Sequence, residues 1–398
     1  LIPHASASTI ESAPQPVDLR VRRHIPALDG LRGIAVLMVM AEHLGGGRQS
    51  SHLAVRLLGD STRIGWAGVT LFFVLSGFLI TGILWDSFKE SGWWQRFYMR
   101  RSLRIFPLYY LSLLYALIVA LLFAHVMLRT LPVYALYLQD IPWLNSLIRL
   151  VPEHVISLSA FWSLAVEEQF YLIWPFLLFS LRNRRGVAMN LCLGGVLASL
   201  IFRLAVLHFQ WDMDWCYRSL PGRAGELLIG AWIALAVRGS MGEQKRLLRL
   251  VPVTLAVSFL SLVAIGLWTR GSLETDEPMW LGIGLLALAL FFASALVSCL
   301  RPGLVEKIVR SRILRWFGAI SYGMYVFQSI LNPAFRMAVQ PWIQHFPGEL
   351  QELAKAVTSF AGVTCIAWLS FHTFERYFLR IKDRLHSQRE TANARRQP

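Results

Sequence analysis

Stretches of nearly pure hydrocarbon, each close to twenty residues, alternate along the whole chain with short basic or acidic breaks. About twenty apolar helical residues cross a hydrocarbon layer ~30 Å thick. Helices keep all their backbone hydrogen bonds within the segment there. The pattern predicts spans at roughly 28–46, 67–85, 104–126, 162–181, 187–207, 220–237, 250–268, 279–299, 314–334 and 356–376. The expected fold is therefore all-α, a polytopic membrane protein of about ten transmembrane helices.

One stretch, 131–157 (LPVYALYLQDIPWLNSLIRLVPEHVIS), is apolar enough to cross but is broken by Asp140, Pro142, Asn145, Arg149 and Pro152. Charge decides how it is read. If it does not cross, six basic elements fall on one face: Arg20, Arg22 and Arg23, the 86–103 loop, RNRR at 182–185, the 238–249 loop, the 301–315 loop and the C-terminus. DMDW at 212–215, ETDE at 274–277 and GELQEL at 348–353 then fall on the other. Lys and Arg concentrate on the cytoplasmic side, so both termini are expected to be cytoplasmic and 131–157 external or re-entrant. Residues 1–24, polar with Pro14 and Pro16 and lacking an apolar core, read as a flexible cytoplasmic tail rather than a signal peptide. Residues 25–380 read as one membrane-embedded domain without an internal repeat, and 381–398 as a basic cytoplasmic tail.

Composition agrees. The chain is 55% hydrophobic and 16% charged, where a soluble domain has about a quarter charged residues. Its net charge of +15 sits between the apolar windows, where the charge rule accounts for it without a nucleic-acid partner. Cys192, Cys216, Cys299 and Cys365 are scattered and form no CxxC pair, so neither a metal site nor a disulfide framework is expected.

Ionisable residues inside membrane helices are costly and point to function. The first span, LDGLRGIAVLMVMAEHLGGG, opens on Asp29 and Arg32 and carries Glu42 and His43 at its far end. Eleven helical residues are about three turns, so Arg32 and His43 share a face some ~16 Å apart. With Arg32 at the cytoplasmic edge, His43 is expected near mid-layer, where a neutral imidazole in a dry setting suits a general base. The alternative is a histidine bonded to a neighbouring helix for packing. His125, His208 and His372, near span ends, take that structural reading.

In RFYMRRSLRIFPLYY, a loop running into a span, Arg96, Arg100, Arg101 and Arg104 stand beside aromatics. Arg101 and Arg104 are three apart and can fork onto phosphate oxygens; a stop-transfer cluster is the alternative. FWSLAVEEQFYLIWP sets Glu167 and Glu168 among Trp162, Ser163 and Tyr171. Adjacent helix positions diverge by about 100°, so at most one glutamate is expected to face a given cavity. Arg223 with Glu226, and Glu375 with Arg376, read first as interhelical ion pairs.

Taken in order, LDGLRGIAVLMVMAEH, GVTLFFVLSGFLIT, FYMRRSLRIFPLYY, FWSLAVEEQFYLIWP and ISYGMYVFQ resemble the type-3 acyltransferase family of integral membrane proteins over about residues 24 to 380. These enzymes O-acylate sugars, polysaccharides, antibiotics and lipids. The resemblance implies a multi-pass protein of the bacterial cytoplasmic membrane that uses acyl-CoA, commonly acetyl-CoA, as co-substrate, with no permanently bound cofactor. The acceptor it implies is a carbohydrate or lipid-linked hydroxyl.

The family's arginine–ten residues–histidine motif is met by Arg32 and His43, and its R-x-x-R motif by Arg101 and Arg104. The resemblance makes the histidine catalytic and the arginines acyl-CoA-binding. Its Ser-Leu-x-x-Glu segment falls on Ser163, Leu164 and Glu167, which favours Glu167 over Glu168 as the group orienting His43 or holding the acceptor. Asp29, Glu168, Tyr171, Trp162, Ser163, Arg223 and Glu226 stand as possible acceptor-binding or supporting residues. Gln328 departs from the family, which often has a histidine there, and Glu42 beside His43 is unusual. An acyl-histidine intermediate is a variant mechanism. A different class is also open: a proton-coupled transporter or flippase with His43, Glu167 and Glu226 as a relay.

Overall fold

Four of the long helices break their apolar runs with charged residues, and several of these, Arg223 and Glu226 above all, are buried. The computed structural model describes residues 25–44, 56, 59–151 and 155–381; the tail predicted at 1–24 and nearly all of that at 381–398 lie outside them. Among the described residues there is no strand. Ten helices among the described residues have fifteen residues or more: α1 Pro26–Leu44, α2 Ala67–Ser87, α3 Trp93–Phe123, α4 Trp162–Ser180 and α5 Arg185–His208. They continue with α6 Leu220–Ala236, α7 Met241–Trp268, α8 Leu285–Cys299, α9 Arg312–Ile343 and α10 Gly348–Ser370.

Six of these, extended by their flanking turns, are long and apolar enough to cross a bilayer: Gly59–Ser87, Trp93–Phe123, Arg185–His208, Met241–Trp268, Trp280–Cys299 and Leu350–Ile381. The chain is thus a multi-pass integral membrane protein. The remaining four are α1 with Asp29, Arg32 and Glu42, α4 with Glu167 and Glu168, α6 with Arg223 and Glu226, and α9 with Arg312, Arg315 and Arg336. Their polar residues need protein around them, because lipid offers no partner. Accordingly α1 packs lengthwise between α9 and α2, and α6 between α2 and α5. The apolar windows of α5, α7 and α10 are only 22%, 17% and 17% buried, against 78% for that of α2, and so form the outer ring.

Lipid tails supply no hydrophobic drive between helices, so close backbone approach takes over. Gly77 of α2 and Gly230 of α6 interlock: a Cβ on Gly77 would stand 1.8 Å from the Leu227 carbonyl oxygen, and one on Gly230 2.0 Å from that of Val74. The same device joins α1 to α9, where a Cβ on Gly318 would meet the Asp29 carbonyl oxygen at 1.8 Å.

The 131–157 stretch contains only short helical turns among its described residues, Leu131–Ala135, Pro142–Leu144 and Asn145–Ile148. It folds back on α3 and α4. The Tyr137 ring stacks on Tyr109 with centroids 4.2 Å apart. Gln139 donates to the Phe161 carbonyl at 2.8 Å, and Gln169 donates to Asp140 at 2.6 Å.

Two expected loops are helical instead. The 86–103 region joins α3 from Trp93 onward, passing through Pro107, and most of 238–249 is the first turns of α7. A capping box starts α7: the Ser240 hydroxyl accepts from the Glu243 N–H, and the Glu243 carboxylate accepts from the Ser240 N–H. Apolarity locates the hydrocarbon layer, not the helix, and both helices begin on the basic side of the apolar run.

Candidate active site

Because α3 starts early, Arg101 and Arg104 lie on one helical face rather than in a loop. Both line a narrow cavity of ≈ 90 Å³ with Arg32 of α1, Ser76 of α2, Ser163, Glu167, Glu168 and Tyr171 of α4, and Ser321, Tyr322 and Tyr325 of α9. Arg32 also reaches Asp29 at 3.5 Å within its own helix. The Arg101 guanidinium stands over the Tyr171 ring, 4.3 Å from its centroid, an arrangement stabilised by the ring's quadrupole. Arg96 turns elsewhere, pairing with Glu90 at 2.7 Å.

A polar chain runs along one wall. The Tyr171 hydroxyl donates to Ser76 Oγ at 3.0 Å, and Ser76 Oγ donates to Glu167 Oε1 at 2.5 Å. The expectation that only one glutamate faces a given cavity is corrected: both Glu167 and Glu168 line it. The space wraps around α4 toward α2, α3 and α9, and two long side chains about 100° apart both reach it.

His43 lies elsewhere. It is the penultimate residue of α1 and is exposed. It lines a second, larger cavity of ≈ 380 Å³ with Ser157, Gln328, Ser329, Asn332, Pro333, Arg336 and Met337. Arg32 and His43 do share a face of α1, but three turns carry them into different cavities. Glu167 and His43 thus line different cavities. That ring is set by its own helix, Nδ1 lying 3.0 Å from the Val39 carbonyl oxygen. A carbonyl only accepts, so Nδ1 carries the proton and Nε2 is the accepting nitrogen of the neutral ring.

Helix α9 connects the two spaces. Ser321 and Tyr325 face the first, and Gln328, Ser329, Asn332 and Arg336 the second, a spacing of three and four that keeps them on one face. Between them the Tyr325 hydroxyl donates to the Ala160 carbonyl at 2.9 Å and lies 2.5 Å from Ser163 Oγ. Phe72 packs edge-on against the Tyr325 ring, and Ser329 donates to the Ser157 carbonyl at 2.9 Å.

Trp162, Arg223 and Glu226 line neither cavity. Arg223 is fully buried, 3.1 Å from Glu226 and 3.1 Å from Thr70 Oγ1, with the rings of Phe73, Trp162 and Tyr217 around it. This corrects the interhelical reading: the pair is three residues apart on α6, and the rings of three other segments sheathe it. Its place is the joint between α2, α4 and α6. Glu375 accepts from Ser370 at 3.2 Å in the turn after α10.

Ser76, Tyr322, Tyr325, Ser329 and Asn332 escaped prediction. Each is a small or aromatic polar residue whose cost in a span is too slight to interrupt an apolar run. For the four on α9, regular spacing in SYGMYVFQSILN was the available signal.

Comparison with known proteins bears on this arrangement. No solved structure matches the fold. The peptidoglycan O-acetyltransferase OatA of Listeria monocytogenes is 28% identical over 381 residues, covering 89% of this chain and 56% of that protein. The O-acetyltransferase OatA of Staphylococcus aureus is 26% identical over 322 residues, covering 76% of this chain and 50% of that protein. The chain thus spans about half the length of these relatives. The model of the acyltransferase domain matches residues 25–372, from the first turn of α1 to the turn beyond α10. That match takes in both cavities and every helix that lines them, and the chain accordingly belongs to the type-3 acyltransferase family.

Proposed function

We propose that this protein is a membrane-bound O-acetyltransferase that moves an acetyl group from acetyl-CoA to a hydroxyl of a cell-envelope carbohydrate, as the names of its relatives suggest. The observation that carries this reading is the convergence of Arg32, Arg101 and Arg104 on one cavity whose α9 wall continues into the cavity of His43. Phosphates accept charge-assisted hydrogen bonds from arginine forks. The nucleotide end of acetyl-CoA rests on the arginine side, and the thin pantetheine arm follows the α9 face past Tyr325 toward His43.

At His43 the acceptor hydroxyl oxygen attacks the thioester carbonyl carbon. Nε2 takes the hydroxyl proton, the C–S bond breaks, and the proton passes on to the departing thiolate. Glu167, held through Ser76 and Tyr171, fixes the arginine-lined end rather than the histidine. The relay reading is less favoured, because His43 and Glu167 line different cavities and Glu226 lines neither.

The proposed setting is the bacterial cytoplasmic membrane, crossed ten times, with both termini and the arginine-lined mouth on the cytoplasmic side. The four helices that fall short on apolarity complete this count, because Arg32, Glu167, Arg223 and Glu226 within them are covered by neighbouring helices and Arg312 and Arg315 stand at the start of α9.

The test uses the purified chain with radiolabelled acetyl-CoA and a glycan acceptor. General acid–base contributions run to about 10²–10⁴-fold, so His43→Ala is expected to lower kcat at least a hundredfold at unchanged thermal stability. A folded His43→Ala protein that acetylates at the parental rate would falsify the proposal.

A further inference from the structure

The second cavity holds polar groups that the proposed chemistry does not use. Gln328 is 1% exposed and lines this cavity, yet neither its Oε1 nor its Nε2 has a hydrogen-bond partner. One turn on, Asn332 Nδ2 donates to the His43 carbonyl at 3.4 Å, while the buried Asn332 Oδ1 is unpartnered. A buried carboxamide left unsatisfied is costly, and a fold keeps one where a ligand answers it. The two amides lie on one face of α9, beside Ser157 and Ser329, with His43 across the cavity.

We infer that Gln328 and Asn332 form a recognition site for the hydroxyl groups of a neutral carbohydrate. This rests on the proposed function for the chemistry at His43. The assignment follows from the donor and acceptor pattern. A hydroxyl both donates and accepts, and so satisfies the oxygen and the nitrogen of a carboxamide together. A phosphate or carboxylate only accepts, which would leave Gln328 Oε1 and Asn332 Oδ1 unanswered. Charge points the same way. Arg336, the cation in the lining, is already engaged by Glu352 at 2.5 Å, which also accepts from Lys355 at 2.9 Å. Pro333 and Met337 add apolar surface suited to the C–H face of a sugar ring. A sugar held here presents a hydroxyl inside the cavity that His43 lines.

The experiment is calorimetric titration of the detergent-solubilised chain with chitotriose, without acetyl-CoA. The parental chain is expected to bind saturably. Gln328→Leu is expected to weaken binding roughly tenfold or more, and Gln328→Glu, which keeps size and shape but loses the amide donor, should weaken it as well. Thermal unfolding of each variant guards against a folding defect in Leu. Unchanged affinity in the folded variants, or absence of saturable binding by the parental chain, overturns the inference. Tighter binding of glucose 6-phosphate than of glucose overturns the neutral-ligand assignment. The readout needs no turnover, so it can fail while acetyl transfer stands, and the His43 assay can fail while sugar binding stands.

Discussion

Arg101 and Arg104 show how the role of one residue depends on its neighbour. Arg101 lies over Tyr171, whose hydroxyl begins the hydrogen-bond chain through Ser76 to Glu167. Removing the guanidinium takes away a cation in the cavity and loosens that ring. A hydrogen bond to a charged partner contributes about 1.5–3 kcal/mol, so Arg101→Ala and Arg104→Ala are each expected to raise KM for acetyl-CoA roughly tenfold or more. Arg101→Lys should restore little, because an ammonium neither forks onto phosphate nor stacks on a ring as a guanidinium does. Initial rates against acetyl-CoA concentration check this. A lowered kcat at parental KM would move these arginines from donor binding to the chemical step. His43 carries a related lesson. Its bond to Val39 selects the tautomer, and this follows from helix geometry alone.

Among elements, the division is between helices that face lipid and helices that carry the site. α5, α7 and α10 expose most of their apolar windows, while α1, α4 and α6 carry Arg32, Glu167, Glu168, Arg223 and Glu226 on their inner faces. Small residues let the inner helices approach, and Gly230 against the Val74 carbonyl is one of two interlocking joints between α6 and α2. Gly230→Ala forces backbone apart at a packed crossing, where overpacking costs about 1–3 kcal/mol. It is therefore expected to lower the thermal midpoint in detergent. Gly194, with open space at its Cβ position on α5, is the control that should shift little on the same substitution. Equal midpoints for the two variants would mean that α6 can move away from α2 at no cost. The Arg223 joint belongs to this scale too, since its cation is caged by rings from α2, α4 and the turn before α6.

For the whole molecule, the proposed ten crossings put Trp143 and Asp276 outside the cell and Arg182 and Lys245 inside. All four positions are exposed. Single cysteines at Trp143 and Asp276 are expected to react with an impermeant maleimide on intact spheroplasts. Those at Arg182 and Lys245 should react only after permeabilisation. Labelling of Arg182→Cys from outside would mean that 131–157 crosses or that α4 does not.

Helix positions, the broken helicity of 131–157 and the family were readable along the chain, because a span is defined by its transfer from water to hydrocarbon, a local property. Arg32, Arg101 and Arg104 were readable for the same reason: charge in an apolar setting marks itself. What meets what was decided only by tertiary structure. The separation of His43 from the arginines, the facing of both glutamates into one cavity, and the place of Arg223 away from it depend on which helices pack together. So does the exposure of the unsatisfied Gln328 amide to the His43 cavity. Periodicity tells which residues share a helix face, but the bundle determines what that face meets, through contacts between segments hundreds of residues apart.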